Sequence, residues 1–317
     1  MINHPTTISA ILPNYNHADL LPGAIQSLIA QSEPLTEIII VDDGSTDHSL
    51  HVIHSFMHQH QNIRLIKHSS NKGVSEALNT GIKHAIGEYV MLCAADDRYS
   101  EKMAACGKEG MLLYPEVGII CGDAIVHRFD MKKKFKRTLP YLKKRTWIPP
   151  AEFRALAKHQ YVGFNSGGSM LMKRSAVIEA GMLYPATRWH NDWLLYFTIA
   201  MMHGIYYVDE IFIEINMRKE SYSENKKQRA IQKEVMLSTI HILHNHPLPL
   251  WCAFKEGALL PHYSLYDIPL FLRDPIARQY ITWRLIWRCF INNHFIVRLG
   301  RLFPYWIILR ARQLLRA

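Results

Sequence analysis

The sequence predicts an α/β protein, with a mostly parallel sheet covered by helices on both faces and a mainly helical C-terminal region after it. Three observations carry this expectation. Short runs rich in Ile and Val alternate with segments of helical apolar spacing over residues 8–93, the pattern of strand–helix–strand units. Polar or acidic residues follow three of those runs directly, at Asn14, Asp42-Asp43 and Asp96-Asp97. Open parallel sheets bind ligands there, beyond the carboxyl ends of their strands. From about Glu220 onward the spacing becomes mostly helical, with no evident linker at the change near residue 218.

Taken in order, residues 8–12 form a strand closed by Pro13, and residues 21–31 a helix with Leu21, Ile25, Leu28 and Ile29 on one face. Residues 37–42 read as a buried strand. Gly44-Ser45-Thr46 then supplies a turn and a helix cap, and the helix runs to about His60. Residues 63–67 are a strand, 74–86 a helix and 89–93 a strand. Beyond Gly118 the spacing predicts strands over 118–121 and 124–129, an exposed loop over 132–145 and a strand over 167–173. A short helix over 175–180, a longer one over 191–203 and a last strand over 205–215 follow.

Composition bounds the function. The chain has 317 residues, 49% apolar and 20% charged, which excludes a disordered, collagenous or disulfide-stapled class. No uncharged apolar run reaches the ~18 residues of a spanning helix. The first nine residues show no basic segment leading into an apolar one, so no secretory signal is expected. The 5 cysteines are scattered without CxxC spacing and read as reduced thiols of a cytosolic protein. His51, His54 and His58 share a helix face, but no carboxylate or Cys completes a zinc set there.

The net charge is +10, and its location matters. Residues 275–317 hold 8 arginines and no acid, and residues 132–145 hold 8 Lys and Arg and no acid. Such clusters imply an anionic partner, whether lipid headgroups, nucleic acid or phosphorylated substrates. In the tail the arginines alternate with Trp283, Trp287, Phe290, Phe303, Tyr305 and Trp306, a composition suited to an anionic membrane surface. The same apolar face also suits packing against the preceding domain or a second subunit. Nucleic acid is not an expected partner.

Two adjacent carboxylates repel unless a counter-ion relieves them. A hard divalent cation does so, and such ions commonly hold substrate phosphates. The chain has no GxGxxG after its first strand and no GxxxxGK[ST] anywhere, which argues against a dinucleotide dehydrogenase and a P-loop NTPase. Phosphate charge here falls to a metal and to side chains.

Four motifs, in order and spacing, then carry a specific resemblance. Ile8-Ser9-Ala10-Ile11-Leu12-Pro13-Asn14-Tyr15-Asn16 resembles the opening strand of glycosyltransferase family 2. Ile39-Ile40-Val41-Asp42-Asp43-Gly44-Ser45-Thr46-Asp47 is similar to that family's second-strand signature, and residues 71–81 to its next motif. Gly87-Glu88-Tyr89-Val90, leading to Ala95-Asp96-Asp97, resembles its metal-binding strand end. The resemblance implies a GT-A, Rossmann-like catalytic domain over residues 1–218. Its nucleotide-sugar half covers about 1–123 and its acceptor half about 124–218, with a helical, basic region over 219–317. It implies an inverting transferase using a UDP-sugar with Mn2+ or Mg2+ and acting on a glycan or lipid-linked acceptor. The setting it implies is bacterial-type surface polysaccharide or lipopolysaccharide synthesis at the cytoplasmic face of the cell membrane.

Residue by residue, the resemblance places Asp42 on the base and Pro13, Asn14 and Asn16 along the nucleotide pocket. Lys72 and Gly73 close that pocket, Asp96 meets ribose or metal, and Asp97 ligates the metal. His190-Asn191-Asp192-Trp193 resembles the acidic catalytic motif, with Asp192 as general base and His190 as a second candidate. Asp192 as a plain cap of the 191–203 helix stays open. Gly168 belongs to an acceptor-side strand entry where glycine lets backbone and sugar approach. Arg218 follows the last core strand and either neutralises the leaving diphosphate or lies in a solvated loop. The chain departs from the family at Ala94-Ala95, where a further Asp is common, at Leu78, where Arg is common, and at Asn191, where an acid is usual. A nucleotidyltransferase on a related sheet and a non-catalytic membrane or nucleic-acid adaptor are the competing classes. The first would favour a Gly-rich basic loop after strand one, and the second leaves the paired Asp residues unused.

Overall fold

A computed structural model describes residues 6–128, 133–139, 142, 144–159, 164–165, 167–217, 229–246, 254–255, 268–283 and 285–286. The chain forms two compact units, one of Met1–Phe153 with Gly163–Asn225 and one of Arg154–Val162 with Lys226–Ala317.

The first unit is built on one sheet. Its parallel part holds β1 (Ile8–Asn14), β2 (Glu37–Asp42), β3 (Ile63–Lys67) and β4 (Tyr89–Leu92), in the order β3-β2-β1-β4. All six residues of β2 are buried, as befits a parallel strand covered on both faces. The sheet continues through β9 (Met170–Lys173), β6 (Ile119–Arg128), β10 (Ile205–Met217) and β5 (Arg98–Tyr99). β7 (Lys133–Arg137) is added beside β6, and β8 (Thr146–Ile148) beside β10. β9 is antiparallel to both β4 and β6, and β6 is parallel to β10. The carboxyl ends of β1, β2, β3, β4, β6 and β10 therefore share one edge.

The helices follow the apolar spacing. In α1 (Leu21–Ile29) the buried residues are Leu21, Ala24, Ile25 and Leu28, one stripe at helical period. α2 (Ser49–Gln59), α3 (Val74–His84), α4 (Met103–Leu113), α5 (Pro150–His159), α6 (Arg174–Glu179) and α7 (Asn191–His203) complete the set. α3 seats on β1: a Cβ on Gly81 would lie 2.2 Å from Ile11 Cγ2. In the second unit α8 (Arg229–Asn245) and α9 (Ile268–Arg273) are described, and Asp274 accepts the Ala277 N–H at 2.7 Å. Among the described residues no helix is long and apolar enough to cross a membrane.

Several local expectations are corrected. Strands expected at 118–121 and 124–129 are the single strand β6, because Asp123 stays in the ladder with its charge met. Tyr207 Oη donates to Asp123 Oδ1 at 2.7 Å and Lys136 Nζ lies 2.8 Å from Oδ2. The expected loop over 132–145 contains β7, whose charged residues conceal a strand that pairs through its backbone. Residues 167–169 form a 3-10 turn, and the strand starts at Met170. Ser45 and Thr46 do not cap α2. That helix starts at Ser49, whose N–H is taken by Asp47 Oδ1 at 2.9 Å. α4 is not among the expected elements; its Gly107 and Gly110 admit Leu171 and Tyr206.

Candidate active site

The site begins where β1 and β2 end side by side, with Asn14 opposite Asp42 in the parallel register. Asn14 Nδ2 donates to Asp42 Oδ1 at 2.8 Å and to Ser45 Oγ at 3.0 Å. Ser45 Oγ donates to Asp42 Oδ1 at 2.6 Å, and its N–H donates to Oδ2 at 3.1 Å. A carboxylate only accepts, so it fixes which way the Asn14 amide faces. Asn14 Oδ1 is left buried with no hydrogen-bond partner among the described residues. Asn16, in the left-handed region at φ 54, takes the Thr46 N–H on its Oδ1 at 2.8 Å and ties the two loops together. Pro13 is half-buried in β1, one residue before Asn14.

Asp43 does a different job from Asp42. It is 2% exposed, and its oxygens take the N–H groups of Lys72 at 2.9 Å and Gly73 at 2.7 Å. His68 Nδ1 lies 2.6 Å from Oδ1, and the far ring nitrogen lies 3.0 Å from Thr80 Oγ1. Lys72 and Gly73 are thereby held at the edge, with the Lys72 side chain exposed. Gly73 adopts φ 92 immediately before α3, a conformation that favours glycine.

The acidic pair follows β4. Asp97 is buried, and burial together with the neighbouring Asp96 charge pushes its carboxyl up to about 7. Asn216, near the end of β10, donates its N–H to Asp97 Oδ1 at 3.1 Å and its side-chain amide to the Asp96 carbonyl at 2.6 Å. Two adjacent acids, one of them buried, with one backbone donor between them, suit a divalent cation with hard oxygen ligands. No group of three His, Cys, Asp or Glu suited to a metal is assembled among the described residues. Asp97 and Asp96 are the residues that would hold Mn2+ or Mg2+.

On the acceptor side Asp192 stands exposed in the first turn of α7, and its Oδ1 takes the Trp193 N–H at 2.7 Å. It is not the helix cap; His190 occupies that position and makes no side-chain cap bond. His190 is 1% exposed, so its ring lies away from solvent. Asn191 is buried between Ser75 Oγ, to which its Nδ2 donates, and Thr187, whose hydroxyl donates to its Oδ1 at 2.9 Å. Where the family usually has an acid, Asn191 thus bolts the start of α7 to the start of α3. Asn79, one turn further along α3, exchanges two hydrogen bonds with the backbone of Leu183 at 2.8 and 3.0 Å. Trp193 packs on Phe197 with ring centroids 5.1 Å apart, which steadies this turn from behind. At Gly168 an added Cβ would meet Ile213 Cδ1 at 2.4 Å, so this glycine admits a neighbouring side chain. Arg218 lies outside the described residues.

Residues 9–181 match the model of glycosyl transferase family 2, more than half of the chain. The chain belongs to glycosyltransferase family 2. Among curated relatives, an uncharacterized glycosyltransferase of Escherichia coli, YibD, is 40% identical over 97 residues, 31% of this chain and 28% of its own length. The poly-beta-1,6-N-acetyl-D-glucosamine synthase of Staphylococcus epidermidis is 28% identical over 174 residues, 55% of this chain and 41% of that one. The chain spans less than half the length of the curated relatives it matches. Among solved structures, S. aureus TarS 1-349 in complex with UDP-GlcNAc superposes with a TM-score of 0.67 at 14% identity, covering 93% of this chain and 87% of that one. The mannosyltransferase PcManGT of Pyrobaculum calidifontis, in complex with GDP-Man and Mn2+, gives 0.52 at 21% identity, covering 88% and 84%. The fold is the GT-A fold of that family.

Sequence reasoning missed Ser45, Ser75, Asn79 and Asn216. Ser45 lies inside the second-strand signature but read as a helix cap. Ser75 and Asn79 face inward at helical spacing, and nothing in their identity names a partner more than 100 residues away. Asn216 belongs to no motif, and only its place at a strand's carboxyl end marks it.

The Asp97 carboxyl sets a pH dependence. With its pKa raised to about 7, the group is largely protonated at pH 6 and a cation must displace that proton. Mn2+-dependent nucleotide affinity is expected to strengthen by about tenfold from pH 6 to pH 8, following one proton. Calorimetric titration across that range checks it, and a flat profile contradicts it.

Proposed function

We propose that the protein is an inverting, metal-dependent transferase that moves a sugar from a UDP-sugar to an acceptor hydroxyl. The observation that carries this reading is the acidic pair of half-buried Asp96 and buried Asp97 on the same sheet edge as the Asn14–Asp42–Ser45 network. The base sits at the Asp42 end, where Asn14, Asp42 and Ser45 form one hydrogen-bonded network. Asn16 and Pro13 border that pocket, and Lys72 and Gly73 close it beside the ribose. Asp96 and Asp97 hold the cation at the diphosphate. When bound, Mn2+ or Mg2+ supplies positive charge that stabilises the departing diphosphate. Arg218, outside the described residues, is the candidate to add to that charge. The complexes of TarS with UDP-GlcNAc and UDP support the nucleotide class.

The chemistry asked of the protein is brief. Asp192 accepts the proton of the acceptor hydroxyl as its oxygen bonds to the anomeric carbon. The bond between that carbon and the diphosphate breaks with its electron pair on the leaving phosphate oxygen, and configuration inverts in one displacement. No nucleophile of the enzyme is needed. Asp192 is preferred over His190 because it is exposed and His190 is buried. Asn191 serves as a positioning residue, fixing the turn that presents Asp192.

A role in bacterial surface polysaccharide synthesis is supported by relatives named for poly-beta-1,6-N-acetyl-D-glucosamine and, putatively, teichuronic acid synthesis. The acceptor is then a growing glycan or lipid-linked sugar. The basic, aromatic composition of residues 275–317, mostly outside the described residues, supports attachment to the inner face of the cell membrane. Released UDP, measured over a panel of UDP-sugars, should fall by a factor of about 10^2–10^4 in Asp192→Ala, with UDP affinity unchanged. Full turnover in that variant would remove Asp192 from the mechanism. Deleting residues 275–317 should release the protein from phosphatidylglycerol vesicles, and retained binding would place attachment elsewhere.

A further inference from the structure

The hairpin of β6 and β7 is absorbed by nothing above. Arg128 and Lys133 pair at the end next to residues 129–132, and Ala124 and Arg137 at the far end. All five residues of β7, Lys133-Lys134-Phe135-Lys136-Arg137, are exposed. The hairpin belongs to the site's edge of the sheet. Its strand β6 is parallel to β4 and β10, and His127 pairs in register with Asn216, the residue that holds Asp97.

Its charges are partly met. Lys134 Nζ lies 3.8 Å from Glu214, which also holds His127 at 3.0 Å, and Lys136 Nζ lies 2.8 Å from the buried Asp123. These acids hold two lysine stems in place. Arg137 donates to the Asn165 carbonyl at 3.0 Å, and partial desolvation lowers its pKa from the ordinary arginine value. Neither Lys133 nor Arg137 meets a carboxylate among the described residues. Four cations thus face two acids, within a stretch, 132–145, that carries 8 basic residues and no acid.

Lysines on an edge strand also discourage pairing with other sheets. That role does not call for Phe135, which is 42% exposed in the middle of the strand. Cations flanking an exposed aromatic fit a ligand with repeated anionic groups and apolar ring faces between them.

We propose that the β6–β7 hairpin is the docking surface for a polyanionic glycan acceptor, one bearing phosphate or carboxylate groups along its chain. This rests on the sugar-transfer reading, since it names the acceptor class of that site. The hairpin binds the acceptor chain by charge and by Phe135, and so raises the local concentration of its terminal hydroxyl beside Asp192.

The test measures binding of fluorescent poly(glycerol phosphate) and of neutral dextran to the full chain, with UDP affinity determined on the same samples. The wild type should bind the polyanion in a salt-dependent manner and not the dextran. Lys133→Glu combined with Phe135→Ala should weaken polyanion binding about fivefold to tenfold, with Lys133→Arg restoring most of it. UDP affinity should not change, which shows that the variants fold. Equal polyanion binding by wild type and variant, equal binding of dextran, or none at all overturns the proposal. So does a variant that loses phosphatidylglycerol vesicles but keeps the polymer, which would make the hairpin a membrane contact. Polymer binding without any UDP binding would overturn the donor reading and leave the surface standing.

Discussion

The buried carboxylate of Asp43 is the constraint on which the rest of the site depends. A charge removed from water costs several kcal/mol unless donors replace the lost solvent. Asp43 finds them in the N–H groups of Lys72 and Gly73 and in the His68 ring. Meeting that charge forces the 68–73 segment onto the end of β2, sets Gly73 in its left-handed conformation and fixes where α3 begins. From α3, Ser75 reaches Asn191 and Asn79 clasps Leu183. One buried charge therefore carries the geometry of the second strand to the turn that presents Asp192.

The four acids at the edge divide by how far the protein satisfies them. Asp42 and Asp43 are met by donors of the chain itself and act as internal fasteners. Asp97 receives one backbone N–H and sits against the like charge of Asp96. That leaves the pair as the place where an external cation gains most, because a divalent ion removes both the repulsion and the desolvation cost. The first pair is met by the chain, and the second is met by it only in part. Asn216 is supplied by β10 and so ties that strand to the acidic pair after β4.

Much of this was legible in the sequence because parallel strands buried on both faces leave a plain signature. Residues 37–42 and 63–67 coincide with β2 and β3, and 191–203 with α7. The two Asp pairs were readable as lying just beyond the carboxyl ends of two strands; Asp42 closes β2, and the second pair follows β4. What was not legible depends on contacts distant in sequence. Asp42 and Asp43 are identical neighbours, yet alternation along the strand sends one toward Asn14 and the other toward residues 68–73. Nothing local distinguishes them. Asn191 looked like a weakened acid and is a buried fastener, a role visible only once Ser75 stands opposite. The run at 133–137 read as a loop because its side chains hide a strand whose pairing is carried by backbone groups.

The most direct test of the account is calorimetric titration of UDP, GDP and ADP, each with and without Mn2+, on the wild type and on Asp97→Ala. The account predicts UDP binding that requires Mn2+ and is lost in the variant. Metal-independent binding, or binding that survives Asp97→Ala unchanged, would contradict it, as would preference for GDP or ADP over UDP.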